Sequence, residues 1–215
     1  MKSKRFVALL LSLVMVFTLI GCGTQTPPDE TGTHYKEEIV IAMADEFTTI
    51  DPMETTAETN QIVQDCTHDL LTDTNLNTME NEGELVDHWE MVEPDHWIFY
   101  LKDNVTFHDG TKLNVDDVAF TFERAKDIAM IKEFVKVDEL TFEIYLTQGN
   151  VDFNYTLAAN SLAILSKEAF ETMPEEDAVK IGTGPWVFDE YVSGDYVSLK
   201  RFEDSTLYPV PNTQR

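Results

Sequence analysis

Basic residues are scarce in this chain. Fifteen lysines and arginines stand against 40 acidic residues, for a formal net charge of −25. That balance argues against nucleic-acid binding, because no basic footprint exists to neutralise phosphates. The acidic excess suits a surface that must stay soluble outside the cell. Cysteine is nearly absent: Cys22 and Cys66 are the only two, too few for a disulfide framework. The five histidines (His34, His68, His88, His96, His108) form no HExxH or other close ligand pair. His88 and His96 do flank Trp89 and Trp97 in an acidic stretch, which leaves a transition-metal patch as a minor alternative. GxSxG and a phosphate-cradling glycine loop are both missing. Asp116 with Asp117 reads as a helix start, and Glu175, Glu176 and Asp177 as a solvated acidic turn. The chain is not expected to be an enzyme, and neither a cofactor nor a metal site is expected. No internal repeat is present.

The amino terminus carries an address. Lys2, Lys4 and Arg5 form a basic n-region, and residues 6–20 are an apolar run too short for a comfortable membrane span. Leu19, Ile20, Gly21 and Cys22 then resemble a lipobox. On that reading residues 1–21 are a lipoprotein signal peptide, and Cys22 becomes the lipidated first residue of the mature protein. Acyl chains contribute about 0.8 kcal/mol per buried methylene, so two or three hold a soluble domain at the bilayer. Residues 22–36, with Pro27, Pro28, Gly32 and several threonines, read as a flexible tether. Cys66 would remain as an unpaired thiol. It falls on an amphipathic helix expected over 56–71, sharing a face with Ile62, Val63 and Leu70, and reads as a small core hydrophobe.

Residues 97–126 are the densest ordered stretch. Trp97, Ile98, Phe99, Tyr100 and Leu101 read as a strand, followed by a second short strand over 105–107. Asp109-Gly110 is a strong turn pair. Asn114 can cap a helix whose first turn holds Asp116 and Asp117, where the helix dipole favours them. Val118, Ala119, Phe122 and Ala125 give that helix one buried stripe.

Elsewhere Ile39, Val40, Ile41, Ala42, Met43 and Ala44 read as a buried strand. Val135 and Val137, then Leu140, Phe142, Ile144 and Leu146, alternate as a hairpin across Asp138-Glu139. Residues 162–165 read as an apolar strand, with Ser166 capping a short helix that Pro174 closes. A second hairpin runs over 186–191 and 196–202 across Ser193-Gly194-Asp195.

Several of these blocks carry a resemblance. Phe107-His108-Asp109-Gly110-Thr111, then Asp116-Asp117-Val118 and Glu123-Arg124, resembles the FHDG…DV…ER signature of bacterial extracellular solute-binding proteins of family 5. These are the oligopeptide, dipeptide and nickel-binding lipoproteins of ABC importers. Ile50-Asp51-Pro52 resembles the family's DP element. Ile181-Gly182-Thr183-Gly184-Pro185-Trp186 resembles its GTGPY turn, and Trp89-Glu90 fits the tryptophan after its LA element. His68-Asp69-Leu70-Leu71 and residues 84–88 depart from the pattern. FHDG itself reads as a hairpin followed by a capped helix, so it identifies a scaffold and does not locate a site.

The resemblance implies an α/β fold: the first lobe of a type II periplasmic-binding-protein-like architecture, with mixed sheets and flanking helices. It covers residues 37–204, with a subdomain of about 55–160 inserted, and leaves 205–215 as a divergent tail. The second lobe is expected to be missing, which makes the chain a truncated member. The implied partners are a peptide or similar small solute, an ABC permease, and the membrane through the lipid anchor, on the extracytoplasmic face. The alternative is a non-transporting surface interaction lipoprotein or a remnant of a truncated gene. Family members border their ligand cleft with the end of the first strand and the loop after it, which here means Met43, Ala44, Asp45 and Phe47.

Overall fold

The computed structural model describes residues 38–54, 56–125 and 130–208. The signal segment, Cys22, the tether to residue 36 and the tail from residue 209 lie outside the described residues. Residues 38–42 belong to one unit and residues 43–208 to another.

The short described part of the first unit corrects one expectation. Ile39, Val40 and Ile41 are 69%, 83% and 65% exposed and form no strand. Apolar β-branched residues favour a strand, but a strand exists only where its backbone hydrogen bonds are satisfied by a partner, and side-chain preference alone supplies none.

In the second unit, helix α1 (Glu58–Thr67) is followed by a small antiparallel hairpin, β1 (Thr72–Thr74) and β2 (Asn81–Gly83). The main sheet is antiparallel, built from β3 (Val86–Glu93), β4 (His96–Leu101), β5 (Ile131–Lys136) and β6 (Thr141–Leu146) in the order β3-β4-β6-β5. Period-2 alternation turns Trp97, Phe99 and Leu101 of β4 and Phe142, Ile144 and Leu146 of β6 to one buried face. Helix α2 (Val115–Arg124) covers that face with Val115, Val118 and Phe122. Phe99 stacks on Phe142 at 5.3 Å and Phe134 of β5 stacks on Phe142 at 5.1 Å. The start of α2 is set by a capping box, in which the Asp116 N–H donates to the Asn114 side chain and the Asn114 N–H donates to Asp117.

Two strand expectations shrink. Thr106 makes only an isolated bridge with Lys112, because the Asp109-Gly110 turn brings the chain straight back and Phe107 N–H donates to Thr111 O at 2.8 Å. Residues 162–165 form a short 3₁₀ turn (Asn160–Leu162) and a buried extended segment without sheet pairing. That segment is held instead by single bonds such as Ile164 N–H to Asp69 O.

Two short helices follow the main sheet, α3 (Phe153–Thr156) and α4 (Lys167–Thr172), the latter capped by Ser166 as expected. Helix α5 (Glu175–Ala178) starts after Pro174. The second hairpin forms from β7 (Trp186–Val192) and β8 (Tyr196–Arg201). Phe188, Val197 and Leu199 from this hairpin pack on a second cluster made by Phe47, Ile50, Val63 and Val179.

Helix α1 departs from its expected polarity. Its buried residues are Thr59, Asn60, Val63, Gln64 and Thr67, while Ile62 is exposed and Cys66 half-buried. Polar side chains go inward because they bind the preceding loop. Asn60 accepts from Thr48 N–H and donates to Thr48 Oγ1, and Gln64 donates to Asp51 O.

Candidate functional site

Sequence blocks far apart in the chain meet in pairs. His108, between Phe107 and the Asp109-Gly110 turn, reaches the turn that contains Gly182 and Gly184. Its Nδ1 accepts from the Gly182 N–H at 3.2 Å, so Nε2 carries the proton and donates to Gly184 O at 3.0 Å. The His108 N–H donates to Gly182 O at 2.9 Å. Burial pushes the imidazole below its ordinary range, which keeps it neutral. His108 is thus a clamp on the glycine turn and not a free ligand-binding imidazole. The turn in turn lies against the end of α1. A Cβ on Gly182 would sit 2.0 Å from Thr67 O, and one on Gly184 would sit 2.6 Å from Thr67 C. Only glycine fits at either position.

Asp51 and Arg124 form the second pair, at 2.9 Å, and Arg124 also reaches Glu175 at 3.0 Å. Asp51 is buried and Glu175 exposed, so the two contacts differ in kind. Arg124 lies over the Phe170 ring at 4.7 Å. The expected acidic turn at 175–177 therefore contributes one of its carboxylates to a bridge across the domain.

A third group went unread in the sequence. Asp69 is buried beside Thr183 and Tyr208, and Tyr208 also contacts Glu84. Burial pushes both carboxylates up, with Glu84 reaching about 7. Glu84 and Tyr208 line a cleft of about 450 Å³, together with Asp73, Asn75, Glu82 and Lys102. The signal was present, since Asp69 precedes Leu70-Leu71 and Glu84 precedes Leu85-Val86. An acidic residue at the edge of an apolar run often lies partly inside.

The four expected ligand-bordering residues do not line this cleft. Ala44 and Asp45 are exposed and Met43 is partly buried. Among the described residues, the backbone groups of Met43, Ala44 and Asp45 make no hydrogen bond. Phe47 is core: its ring meets Tyr191 edge-on at 5.2 Å and Phe188 at 6.2 Å, and its carbonyl accepts from Tyr191 Oη at 2.7 Å. Glu46, between Asp45 and Phe47, accepts from Ser193 Oγ and Gly194 N–H and has Tyr191 Oη at 3.1 Å, contacts that hold its carboxyl below the usual range.

His88 and His96 do not converge. They stack on Tyr100 and Tyr145 respectively, each at 4.2 Å. His88 is the cross-strand partner of Tyr100, four residues along β4 from His96, which separates them by about 13 Å at roughly 3.3 Å per residue. Among the described residues no group of three metal-binding side chains assembles. Cys66 is half-buried, and burial pushes its thiol up, away from the reactive thiolate.

With this geometry in place, three comparisons place the chain among known proteins. The family model described as bacterial extracellular solute-binding proteins, family 5 Middle, matches residues 80–209. A curated relative, the HTH-type transcriptional regulator SgrR of Escherichia coli O6:K15:H31, is 31% identical over 137 residues, covering 62% of this chain and 24% of the regulator. The dipeptide-binding protein of Pseudoalteromonas sp. SM9913, solved with Met-Leu, shares the fold with a TM-score of 0.69 at 21% identity, covering 77% of this chain and 40% of that one. The oligopeptide-binding protein AppA of Bacillus subtilis, solved with a nonapeptide, gives 0.64 at 23% identity, covering 77% and 36%. The chain thus spans about a quarter of the regulator's length. The type II periplasmic-binding-protein-like α/β fold expected from the sequence is the fold found.

Proposed function

Because the chain belongs to the bacterial extracellular solute-binding proteins of family 5, we propose that it is a substrate-binding component of an ABC importer, capturing peptides or similar small solutes outside the membrane. The family match over residues 80–209 is the observation that carries this reading. The shared fold with proteins solved in complex with Met-Leu and with a nonapeptide supports a peptide as the solute.

Met43, Ala44 and Asp45 are the segment we assign to the edge of the solute site. Their backbone groups, unpaired among the described residues, offer an extended peptide the pairing of an added strand. Phe47 then supports that segment from the core. Cys22 is the anchor in this reading, holding the domain on the extracytoplasmic face of the membrane beside a permease. Catalysis forms no part of it.

Native mass spectrometry of the protein purified from its host should reveal a co-purified peptide. Deleting the gene should abolish uptake of that same peptide, and uptake unchanged by the deletion would overturn the transport reading. Cys22→Ala should leave the protein unlipidated; labelled fatty acid incorporated equally by the variant would refute the anchor.

The regulator relative favours a second reading, a solute-sensing module. The net charge of −25 opposes DNA contact by the chain itself, and a bound peptide without any uptake defect would favour sensing.

A further inference from the structure

Tyr208 sits between two carboxylates. Its hydroxyl oxygen is 3.0 Å from Asp69 Oδ1 and 3.0 Å from Glu84 Oε1. The second oxygen of each carboxylate already has a donor. Thr183 Oγ1 donates to Asp69 Oδ2 at 2.7 Å, and the Leu70 N–H donates to Glu84 Oε2 at 2.7 Å. A phenol carries one hydrogen and can donate to only one of its two neighbours. The remaining 3.0 Å contact would set two acceptors against each other unless a further proton lies on it. Asp69 is 1% exposed, so bulk water does little to relieve two adjacent charges.

We propose that Glu84 is protonated in the folded protein and donates to Tyr208 Oη while Tyr208 donates to Asp69, and that loss of this proton loosens residues 205–208 from the domain.

Burial raises both carboxyls, so a proton on one of them is favoured, and the charges around them distinguish the two. Lys102 favours the ionised form of Asp69, whereas Asp69 itself and Asp73 disfavour a second charge at Glu84. Glu82, on the same cleft, accepts from Asn75 Nδ2 at 2.9 Å. Arg201 faces the segment from β8 and donates to Tyr208 O. Burial, and then the Asp69 charge, push Glu84 up to about 7 from an ordinary 4.5. Because Glu84 lines the cleft, its proton has a route to solvent.

The other ties of the segment do not titrate in this range. Tyr208 N–H donates to Ser205 Oγ at 3.1 Å, and Thr206 Oγ1 donates to Asn104 O. The pH response therefore resides in the three side chains. A carboxyl raised on closing holds a proton that the open form releases, so closure is fully favoured below about pH 4.5 and lost as pH rises through about 7. Opening should rise about tenfold per pH unit across that window and level off above it.

Amide hydrogen exchange at Tyr208 in the full chain, corrected for the intrinsic rate, tests this. Between pH 5 and pH 7 the wild type should lose protection about fortyfold, less than two full decades because both ends of the interval lie close to one of the two values, 4.5 and about 7. Glu84→Gln keeps an oxygen for the Leu70 N–H and presents an NH₂ to Tyr208 Oη, so its protection should be the same at both pH values. The ¹³C shift of the Glu84 carboxyl in the wild type should report the protonated form at pH 5.5. An ionised Glu84 at that pH, or wild-type pH dependence retained in Glu84→Gln, would overturn the proposal. Should the variant fail to fold, the wild-type carboxyl shift decides alone.

Discussion

His108 Nε2 donates to the carbonyl of Gly184 at 3.0 Å across 76 residues of sequence. With the Gly182 N–H held by Nδ1, this one imidazole satisfies two buried backbone groups of a turn that has no sheet to pair with. The histidine in Phe107-His108-Asp109-Gly110 is there to build the domain, and so are the two glycines it binds.

His108→Ala should therefore destabilise the domain. It strands one donor and one acceptor, each costing about 1–3 kcal/mol when buried unpaired. Urea unfolding followed by tryptophan fluorescence measures the loss. An unchanged midpoint would show that water replaces the ring.

Gly182→Ala should be at least as severe, since the new methyl would lie 2.0 Å from Thr67 O. The obstacle is backbone, which cannot swing aside as a side chain can, and overpacking of this kind costs about 1–3 kcal/mol or more. Thermal unfolding is the measurement, and a melting point within a degree of wild type would contradict the close approach.

The two carboxylates on Arg124 should behave differently. Asp51 is buried, so Asp51→Ala leaves the guanidinium with only the exposed Glu175 carboxylate, at a cost of about 1–3 kcal/mol. Glu175 is exposed, so Glu175→Gln should cost no more than about 1 kcal/mol and less in high salt. Equal effects from the two changes would refute the distinction.

Burial holds His68 neutral down to about pH 4, against an ordinary 6.5. The unfolded chain takes up the proton first, so this residue contributes stability above about pH 6.5 that is lost as pH falls toward 4. Glu84 acts in the opposite sense over nearly the same window, losing its contribution as pH rises through about 7. Ring ¹⁵N shifts of His68 should still be those of a neutral imidazole at pH 5. A ring that titrates near 6.5 would mean that water reaches it.

The sequence by itself determined what neighbours along the chain decide. The Asn114 cap, the Asp109-Gly110 turn, the Ser166 cap and the hairpins over 131–146 and 186–201 were legible, because each depends on hydrogen bonds or side-chain alternation within a few residues, whereas strand β3, which pairs with β4, was not. The family, too, was legible, from the order of its blocks. Tertiary structure alone decided the rest. Asp51 finds Arg124, His108 finds Gly182 and Gly184, and Asp69 and Glu84 find Tyr208, across separations of 73 to 139 residues. Nothing local encodes those meetings, since a charged or polar residue reads as solvated until a distant partner is folded against it. The same limit inverted Ile39 to Ile41. Their side chains state a preference for burial in a sheet, but whether an edge lies alongside to accept the backbone depends on the folded neighbours and not on the apolar run.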